Sequence, residues 1–182
     1  VSPINNALVA SYLPKLDWNN ASGAQHYQVE VSKSNTFGTL VVNQSPIVSE
    51  YTLTTALAPN SAWYWRVRAI NEAQSSAWSA VWTFRTKLSK PVAISPVGGV
   101  IVSTRKPAFK WNPVSGAAGY TIQVSVSASF TTTLVNAAIP TATASYTPTV
   151  NLPAGSTLYW RVRANGANGP SDWMVTATFK TP

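Results

Sequence analysis

Two copies of an arginine-bearing segment contain the residues whose types and spacing could do chemistry. Residues 63–69 read Trp-Tyr-Trp-Arg-Val-Arg-Ala, and residues 158–164 read Leu-Tyr-Trp-Arg-Val-Arg-Ala. Their alternation predicts strands that bury Trp65 and Trp160 and turn both arginines of each segment to the opposite, solvent-facing side. A further tryptophan follows in each copy, and guanidinium groups stack on indole rings. The predicted Trp/Arg ladders consist of Arg66, Arg68 and Trp78 in the first copy and of Arg161, Arg163 and Trp173 in the second.

Two functions fit such a ladder. It can be structural, stapling the last segment of the domain to the sheet, since a guanidinium over an indole contributes about 0.5–1 kcal/mol when exposed and about 2 kcal/mol when desolvated. It can also form an aromatic and cationic platform for a glycan or a protein partner. The residue pattern favours the structural interpretation and leaves the platform as the alternative.

Two aromatic residues of the first copy are not repeated. Trp63 and Trp82 correspond to Leu158 and Ala177 in the second copy. Aromatic rings that only one copy has acquired are candidate contacts for a ligand or partner. Trp82, however, shares its strand parity with Phe84, which predicts that it points inward. Core packing and a binding role therefore both stand as interpretations of this pair.

The sequence contains little material for catalysis or metal binding. It has no cysteine, five carboxylates and one histidine, His26, so a zinc site would need three scattered carboxylates. Asp17 and Glu30 are predicted to point outward on neighbouring strands, as a surface pair and not as a glycosidase pair. Motifs for phosphate or dinucleotide binding are missing from the sequence. We therefore expect no catalytic residues, no metal ligands and no cofactor, and a protein that is not an enzyme.

Composition narrows the class of protein. Only 10% of the residues are charged, against about a quarter in average proteins. The net charge is +8, of which residues 89–182 contribute +6, but the basic residues outside the ladders are scattered and form no extended run. This pattern argues against nucleic-acid binding. No apolar run approaches the roughly 20 residues that span a bilayer, so membrane insertion is not expected. A cysteine-free chain with few charged residues and many uncharged polar ones is typical of an extracellular or cell-surface protein from a bacterial-type cell.

The second half of the chain repeats the first. The repeat spacing is 93 residues up to Phe37 and Phe130, as the pair Trp18 and Trp111 illustrates. It becomes 95 residues afterwards, so the second copy has two extra residues before Tyr146, which are expected in a loop. We predict one domain at residues 1–88 and another at 89–182, joined by a short linker at about 87–91. Because the chain opens with Val1 and is cut at repeat edges, we expect a piece of a longer polypeptide or a processed subunit.

Within each copy, short segments of period two alternate with turn residues, and no window has helical period. The first copy predicts strands near residues 7–12, 16–18, 27–31, 39–43, 50–54, 63–69 and 80–86. Seven such strands in about 90 residues predict an antiparallel β-sandwich. The predicted fold is therefore all-β, with two tandem seven-stranded immunoglobulin-like sandwiches.

The order of these segments resembles the fibronectin type III domains of bacterial extracellular proteins. The resemblance rests on Pro14-x-Leu16-x-Trp18, Tyr27-x-Val29-x-Val31, Leu57-x-Pro59 and Trp65-x-Val67-x-Ala69, with matching motifs in the second copy. The corner tyrosine of that family is replaced by Trp63 and Leu158, so its hydroxyl bond is expected to be missing or supplied by the neighbouring Tyr64 and Tyr159. The Trp/Arg ladder resembles that of cytokine receptors, although only half of their double-tryptophan motif is present.

The clean repeat, the short linker, the ends at repeat edges and the low charge favour a non-catalytic structural repeat unit, either a spacer or a building block of a surface assembly or filament. Its partners would be other proteins or copies of itself, in a homopolymer. The alternative is a recognition module for carbohydrate or protein, using Trp63 and Trp82 or the ladder face. Either role places the chain outside the cell, with a secretion signal beyond this sequence.

Overall fold

The computed structural model describes residues 1–72 and 74–182 and divides the chain into two compact units. Unit 1 is Val1–Lys87 and unit 2 is Leu88–Pro182. The described residues are organised in strands, turns and loops without a helix, and among them no helical segment is long and apolar enough to cross a bilayer. The prediction of an all-β chain with two sandwiches is confirmed.

Unit 1 contains seven strands. They are β1 (Ala7–Val9), β2 (Lys15–Asp17), β3 (His26–Ser32), β4 (Leu40–Gln44), β5 (Glu50–Thr52), β6 (Ala62–Ile70) and β7 (Trp82–Thr86). One sheet has the order β1-β7-β6-β3-β4, and β2 pairs with β5 in the other. All neighbours are antiparallel except β1, which runs parallel to β7. This places β6, the longest strand, in the middle of the larger sheet.

The core of unit 1 lies between these sheets and follows from strand alternation. Inward positions of β3 are Tyr27, Val29 and Val31, and they pack with Leu16 and Trp18 from the smaller sheet. The central ring is Trp65, which is fully buried and lies 6.3 Å from Trp18 by ring centroids. The predicted inward positions of β3 are therefore buried, because a strand with one covered face presents every second residue to that face. Val67, Ala69 and Trp82, which were also predicted to point inward, are half-buried against the same core.

Unit 2 repeats this architecture with eight strands, because residues 93–95 form a strand where unit 1 has only the single bridge between Ser2 and Asp17. The strands are β8 (Ala93–Ser95), β9 (Val100–Ile101), β10 (Phe109–Trp111), β11 (Gly119–Ser125), β12 (Val135–Ile139), β13 (Ser145–Tyr146), β14 (Thr157–Asn165) and β15 (Ala177–Lys180). The sheets have the orders β12-β11-β14-β15-β9 and β13-β10-β8. The first segment thus pairs with both sheets in turn, β8 with β10 and β9 with β15.

A buried threonine of the last strand holds the loop that enters β6. The Thr86 hydroxyl donates a hydrogen bond to the Ala58 carbonyl (2.7 Å) and accepts one from the Ser61 amide (3.1 Å). Thr181 makes the equivalent bonds in unit 2. In each unit a threonine therefore holds the loop that enters the long strand. The sequence had suggested the neighbouring tyrosine for this role, which is Tyr64 in unit 1.

Candidate functional site: the tryptophan and arginine ladders

The unit 1 ladder is a stack of four side chains on the outer face of the larger sheet. The Arg66 guanidinium lies 4.2 Å from the centroid of Trp78, and the Arg68 guanidinium lies 4.6 Å from the same ring. Arg66 also lies 4.1 Å from the ring of Phe37. The order of the stack is Phe37, Arg66, Trp78 and Arg68, so each cation faces at least one aromatic ring at cation–π distance.

Strand β3 orients both arginines through cross-strand pairs. Arg66 Nε donates a hydrogen bond to Glu30 Oε2 (2.9 Å), and a second guanidinium nitrogen lies 2.7 Å from the same oxygen. Arg68 Nε donates to Gln28 Oε1 (2.9 Å), whose amide in turn donates to Asn43 Oδ1 (2.9 Å). The register places Glu30 opposite Arg66 and Gln28 opposite Arg68. Both guanidinium planes are thereby held across the sheet, ready for stacking.

Serine hydroxyls fasten the segment that carries Trp78 to the edge of β6. Ser76 Oγ accepts a hydrogen bond from the Ala69 amide (3.0 Å), and Ser79 Oγ accepts one from the Val67 amide (3.1 Å). The amides of the two serines donate back to the carbonyls of Ala69 and Val67. Side-chain oxygens therefore take the place of a strand partner and satisfy backbone groups that would otherwise lose a bond.

Unit 2 has the same stack in a different hydrogen-bonding environment. Arg161 lies 4.1 Å from Phe130 and 4.4 Å from Trp173, while Arg163 lies 4.7 Å from Trp173. Arg161 Nε donates to the neutral Gln123 (2.9 Å). Arg163 Nε is buried without a hydrogen-bond partner in the described part of the chain. Burial, with a smaller contribution from the charge of Arg163, lowers the pKa of Arg161 from its ordinary value.

The phenylalanine at the end of each stack was missed at the sequence level. Phe37 and Phe130 both have a φ of 55°, a left-handed conformation that is uncommon for a bulky residue. Beside each, a serine hydroxyl spans the loop, with Ser32 Oγ bonding the Thr39 carbonyl (2.8 Å) and Ser125 Oγ the Thr132 carbonyl (2.7 Å). The sequence signal that could have identified them is their recurrence at the repeat spacing of 93. The strained conformation that both copies share indicates that the position of the ring matters.

The two unrepeated tryptophans of unit 1 lie in different environments. Trp63 is only 3% exposed and belongs to the core, with Lys33 Nζ lying 5.2 Å from its ring centroid. A ring so covered has no free face on which a sugar could stack, so Trp63 is a core residue. Trp82 is half-buried and packs on Trp65 with ring centroids 6.2 Å apart. Of the two, Trp82 alone keeps part of its ring accessible.

The expected surface pair of Asp17 and Glu30 does not form. Asp17 lies on β2 in the smaller sheet, whereas Glu30 lies on β3 in the larger sheet and pairs with Arg66. The prediction was wrong because strand order, which the sequence pattern does not specify, separates the two strands. His26 opens β3 opposite Ile70. Across residues 1–72 and 74–182, no cluster of three acidic or histidine side chains could hold a metal ion.

Comparison with known proteins places this architecture among immunoglobulin-like domains. Residues 4–90 match the family model of the Rha78A-like, N-terminal immunoglobulin domain. No curated protein matches the chain. The chain is similar in fold to the chicken interferon gamma receptor alpha chain, with 13% identity, a TM-score of 0.55, and coverage of 97% of this chain and 95% of the receptor chain.

Two further solved structures are similar at lower TM-scores. The FN1–FN3 domains of chicken CNTN1 share 17% identity at a TM-score of 0.42, covering 95% of this chain, which spans 63% of that structure. A Fn3-like protein from Clostridium thermocellum shares 22% identity at a TM-score of 0.39, covering 52% of this chain and 96% of that one. The family match over residues 4–90, together with the two-sheet topology of each unit, confirms the immunoglobulin-like sandwich that the resemblance to fibronectin type III domains implied.

Proposed function

We propose that this chain of two fibronectin type III-like sandwiches is a non-catalytic structural unit of an extracellular or cell-surface protein. It acts as a spacer or as a building block of a surface assembly, with other proteins or its own copies as partners. The observation that carries the proposal is that the ladder arginines make their contacts within their own unit. Three of the four arginine Nε groups donate to the neighbouring strand, and all four guanidinium groups stack on rings of their own unit.

Cations engaged in this way stabilise the sandwich and have little capacity left for a ligand. Trp78 and Trp173 are half-buried between two arginines, so both faces of each indole are already covered. A sugar needs an open aromatic face to stack upon, and these rings do not offer one. The ladder therefore supports the role of a staple that fixes the segment after β6, and after β14, to the sheet.

The proposal is tested by separating stability from binding. Trp78→Ala and the matched Trp173→Ala remove the centre of one ladder each. We expect both variants to melt earlier than the parent, while parent and variants alike bind nothing on a broad glycan panel. Saturable glycan binding by the parent that either variant loses, with an unchanged far-ultraviolet circular dichroism spectrum, would replace the structural role by recognition.

Electron microscopy and light scattering over a concentration series distinguish the two forms of the structural role. A building block forms ordered filaments or larger particles as concentration rises. A spacer remains at the chain mass of 19.5 kDa. Amorphous aggregation of a folded sample at low concentration would contradict both forms, because a module exposed outside the cell must stay soluble.

One observation favours recognition as the second candidate function. A shallow cavity of about 210 Å³ lies beside the unit 1 ladder and is lined by Asn19, Tyr27, Arg68 and Trp78. It combines an indole edge, a phenol and a cation, which are groups that hold carbohydrate hydroxyls and rings. The glycan panel tests this candidate directly, and Asn19→Ala would weaken such binding without touching the ladder.

A further inference from the structure

Unit 2 contains an apolar pocket above Ala177 on β15. Its volume is about 410 Å³, within the range of sites that take a drug-sized group. Its lining is mainly aliphatic and comes from three parts of the unit: the segment that leads into β8, the turn between β8 and β9, and the residues before and within β15. The lining includes Lys90, Val92, Val97, Met174, Val175 and Ala177. We call this cavity the Ala177 pocket.

Several exposed valine side chains form the rim of the Ala177 pocket. Val175 is 76% exposed, Val92 59% and Val97 41%, and all three line the same cavity. The floor is formed by the buried Met174 and the half-buried Ala177, which pack on the core. Single exposed valines are ordinary, but a group of them around an apolar cavity is typical of an interaction site.

Unit 1 indicates which chemical group suits this place. Trp82 stands opposite Trp65 in the β6–β7 pairing, and Ala177 stands opposite Trp160 in the β14–β15 pairing. In unit 1 the indole of Trp82 covers that position and packs on Trp65 at 6.2 Å. Unit 2 has Phe109 where unit 1 has Leu16, and this buried ring packs on Trp160 from within the core at 5.0 Å. An aromatic ring is therefore the side chain that this fold accommodates above the strand.

The net positive charge of unit 2 indicates which residues should flank an aromatic ring that binds in this pocket. Residues 88–182 contain seven basic residues and a single acidic one, Asp172. The only charged residue of the pocket lining is Lys90. An aromatic side chain flanked by acidic residues would gain attraction from this charge in addition to burial of its ring, and buried aromatic anchors dominate the energetics of protein interfaces.

We propose that the Ala177 pocket receives an aromatic side chain of a protein partner, presented among acidic residues. The inference goes beyond the proposed structural role, since a spacer and a building block can each carry such a contact. It also differs from the glycan candidate, which uses a cavity of unit 1. The two can therefore fail independently.

The test titrates the full chain with a blocked pentapeptide that carries one tryptophan between two acidic residues on each side. Binding is followed by amide chemical shifts. We expect saturable shifts at Val175, Thr176 and Thr178, with a Kd of about 1 mM or tighter. A peptide with alanine in place of tryptophan, and one with lysine flanks, should each bind at least about tenfold more weakly. Indole acetate serves as the small-molecule arm and should bind more weakly than the acidic peptide.

Two variants of the chain locate the binding. Ala177→Trp supplies the indole internally, as unit 1 does, and should weaken the peptide by at least about tenfold. Val175→Asp adds a repelling charge at the rim without altering the core and should have a similar effect. Val150→Asp is the matched control, because Val150 is 61% exposed and lies outside the lining. It should bind like the parent.

Several outcomes would overturn the proposal. One is the absence of saturable shifts with the acidic tryptophan peptide. Another is equal binding of the alanine peptide, or retention of full affinity by Val175→Asp. Tighter binding of indole acetate than of the peptide would assign the pocket to a small aromatic ligand instead of a protein partner.

Discussion

The two ladders have the same stack of rings and cations but different partners behind it. In unit 1, Arg66 is paired with the carboxylate of Glu30, whereas in unit 2 the equivalent Arg161 is paired with the neutral Gln123. Arg68 donates to Gln28, whereas the Nε of Arg163 is buried without a partner in the described part of the chain. The geometry common to both copies is thus the stacking. The hydrogen bonds that support it have diverged, which indicates that aromatic and cationic contacts define this face of the sandwich.

The buried central tryptophans also differ between the units, but here unit 2 has the more complete hydrogen bonding. Trp160 Nε1 donates a hydrogen bond to the Pro96 carbonyl at 2.8 Å. The equivalent Trp65 Nε1 is buried with no hydrogen-bond partner among the described residues. Unit 1 therefore has the better satisfied ladder, and unit 2 has the better satisfied central indole. The following changes test this comparison, and every free energy of unfolding is measured by a urea titration read from amide signals assigned to each unit.

The largest effect is expected where the copies agree. Trp18→Ala and Trp111→Ala each remove a buried ring that packs on a tyrosine of β3 or β11 at 5.5 and 5.2 Å. Each should lower the free energy of unfolding of its own unit by about 3–5 kcal/mol. The exposed Ile47→Ala is the control and should cost little. A loss below about 1 kcal/mol in either unit would contradict the strand parity on which both cores depend.

Replacement of the central indole by a phenyl ring separates the copies. Trp160→Phe removes a ring portion and leaves the Pro96 carbonyl without its donor, whereas Trp65→Phe removes an N–H that has no partner. Trp160→Phe should therefore cost about 1–2 kcal/mol more than Trp65→Phe. Equal costs in the two units would mean that the hydrogen bond contributes nothing net.

Exchange of the residue behind the first arginine should make the ladders more alike. Glu30→Gln replaces the partly buried ion pair with Arg66 by a neutral contact and should cost unit 1 about 1–2 kcal/mol. Gln123→Glu offers unit 2 a carboxylate beside Arg161 and should stabilise it by about 0.5–1 kcal/mol. Added salt should reduce the second effect. A stabilised Glu30→Gln variant would mean that desolvation of the carboxylate outweighs its pairing.

The smallest effect concerns an exposed ion pair on the other sheet. A side-chain hydrogen bond to Glu50 raises the pKa of Lys15, opposed by burial and aided by the charges of Glu50 and Asp17. A raised pKa means that the contribution of the pair is complete below the ordinary lysine value of 10.5 and is lost as the pH rises through the folded value. Glu50→Gln should therefore lower the pKa of Lys15 in an NMR titration and leave stability at neutral pH almost unchanged. An unchanged pKa would mean that the pair does not form in solution.

The sequence by itself determined the strands and the tryptophan and arginine members of each ladder, but not the phenylalanine that completes each stack. Period-two alternation identified which residues of β3 and β6 face the core, because a strand places every second side chain on one face. The same alternation set Arg66 and Arg68 on the outer face together, within reach of Trp78. The repeat then transferred each of these assignments to unit 2, since residues in equivalent positions of one fold meet equivalent surroundings.

Only the tertiary structure decided which strands are neighbours and what completes each site. Strand order places Asp17 and Glu30 in different sheets and sets Glu30 opposite Arg66. The residue pattern along one strand could not predict this, because it does not identify the neighbouring strand. Phe37 joined the ladder through a left-handed loop conformation that nothing in its type predicts. The Ala177 pocket likewise arises from segments distant in sequence, and its shape depends on how those segments pack together. Local alternation fixes the face on which a side chain lies, whereas contacts between strands determine what that side chain meets.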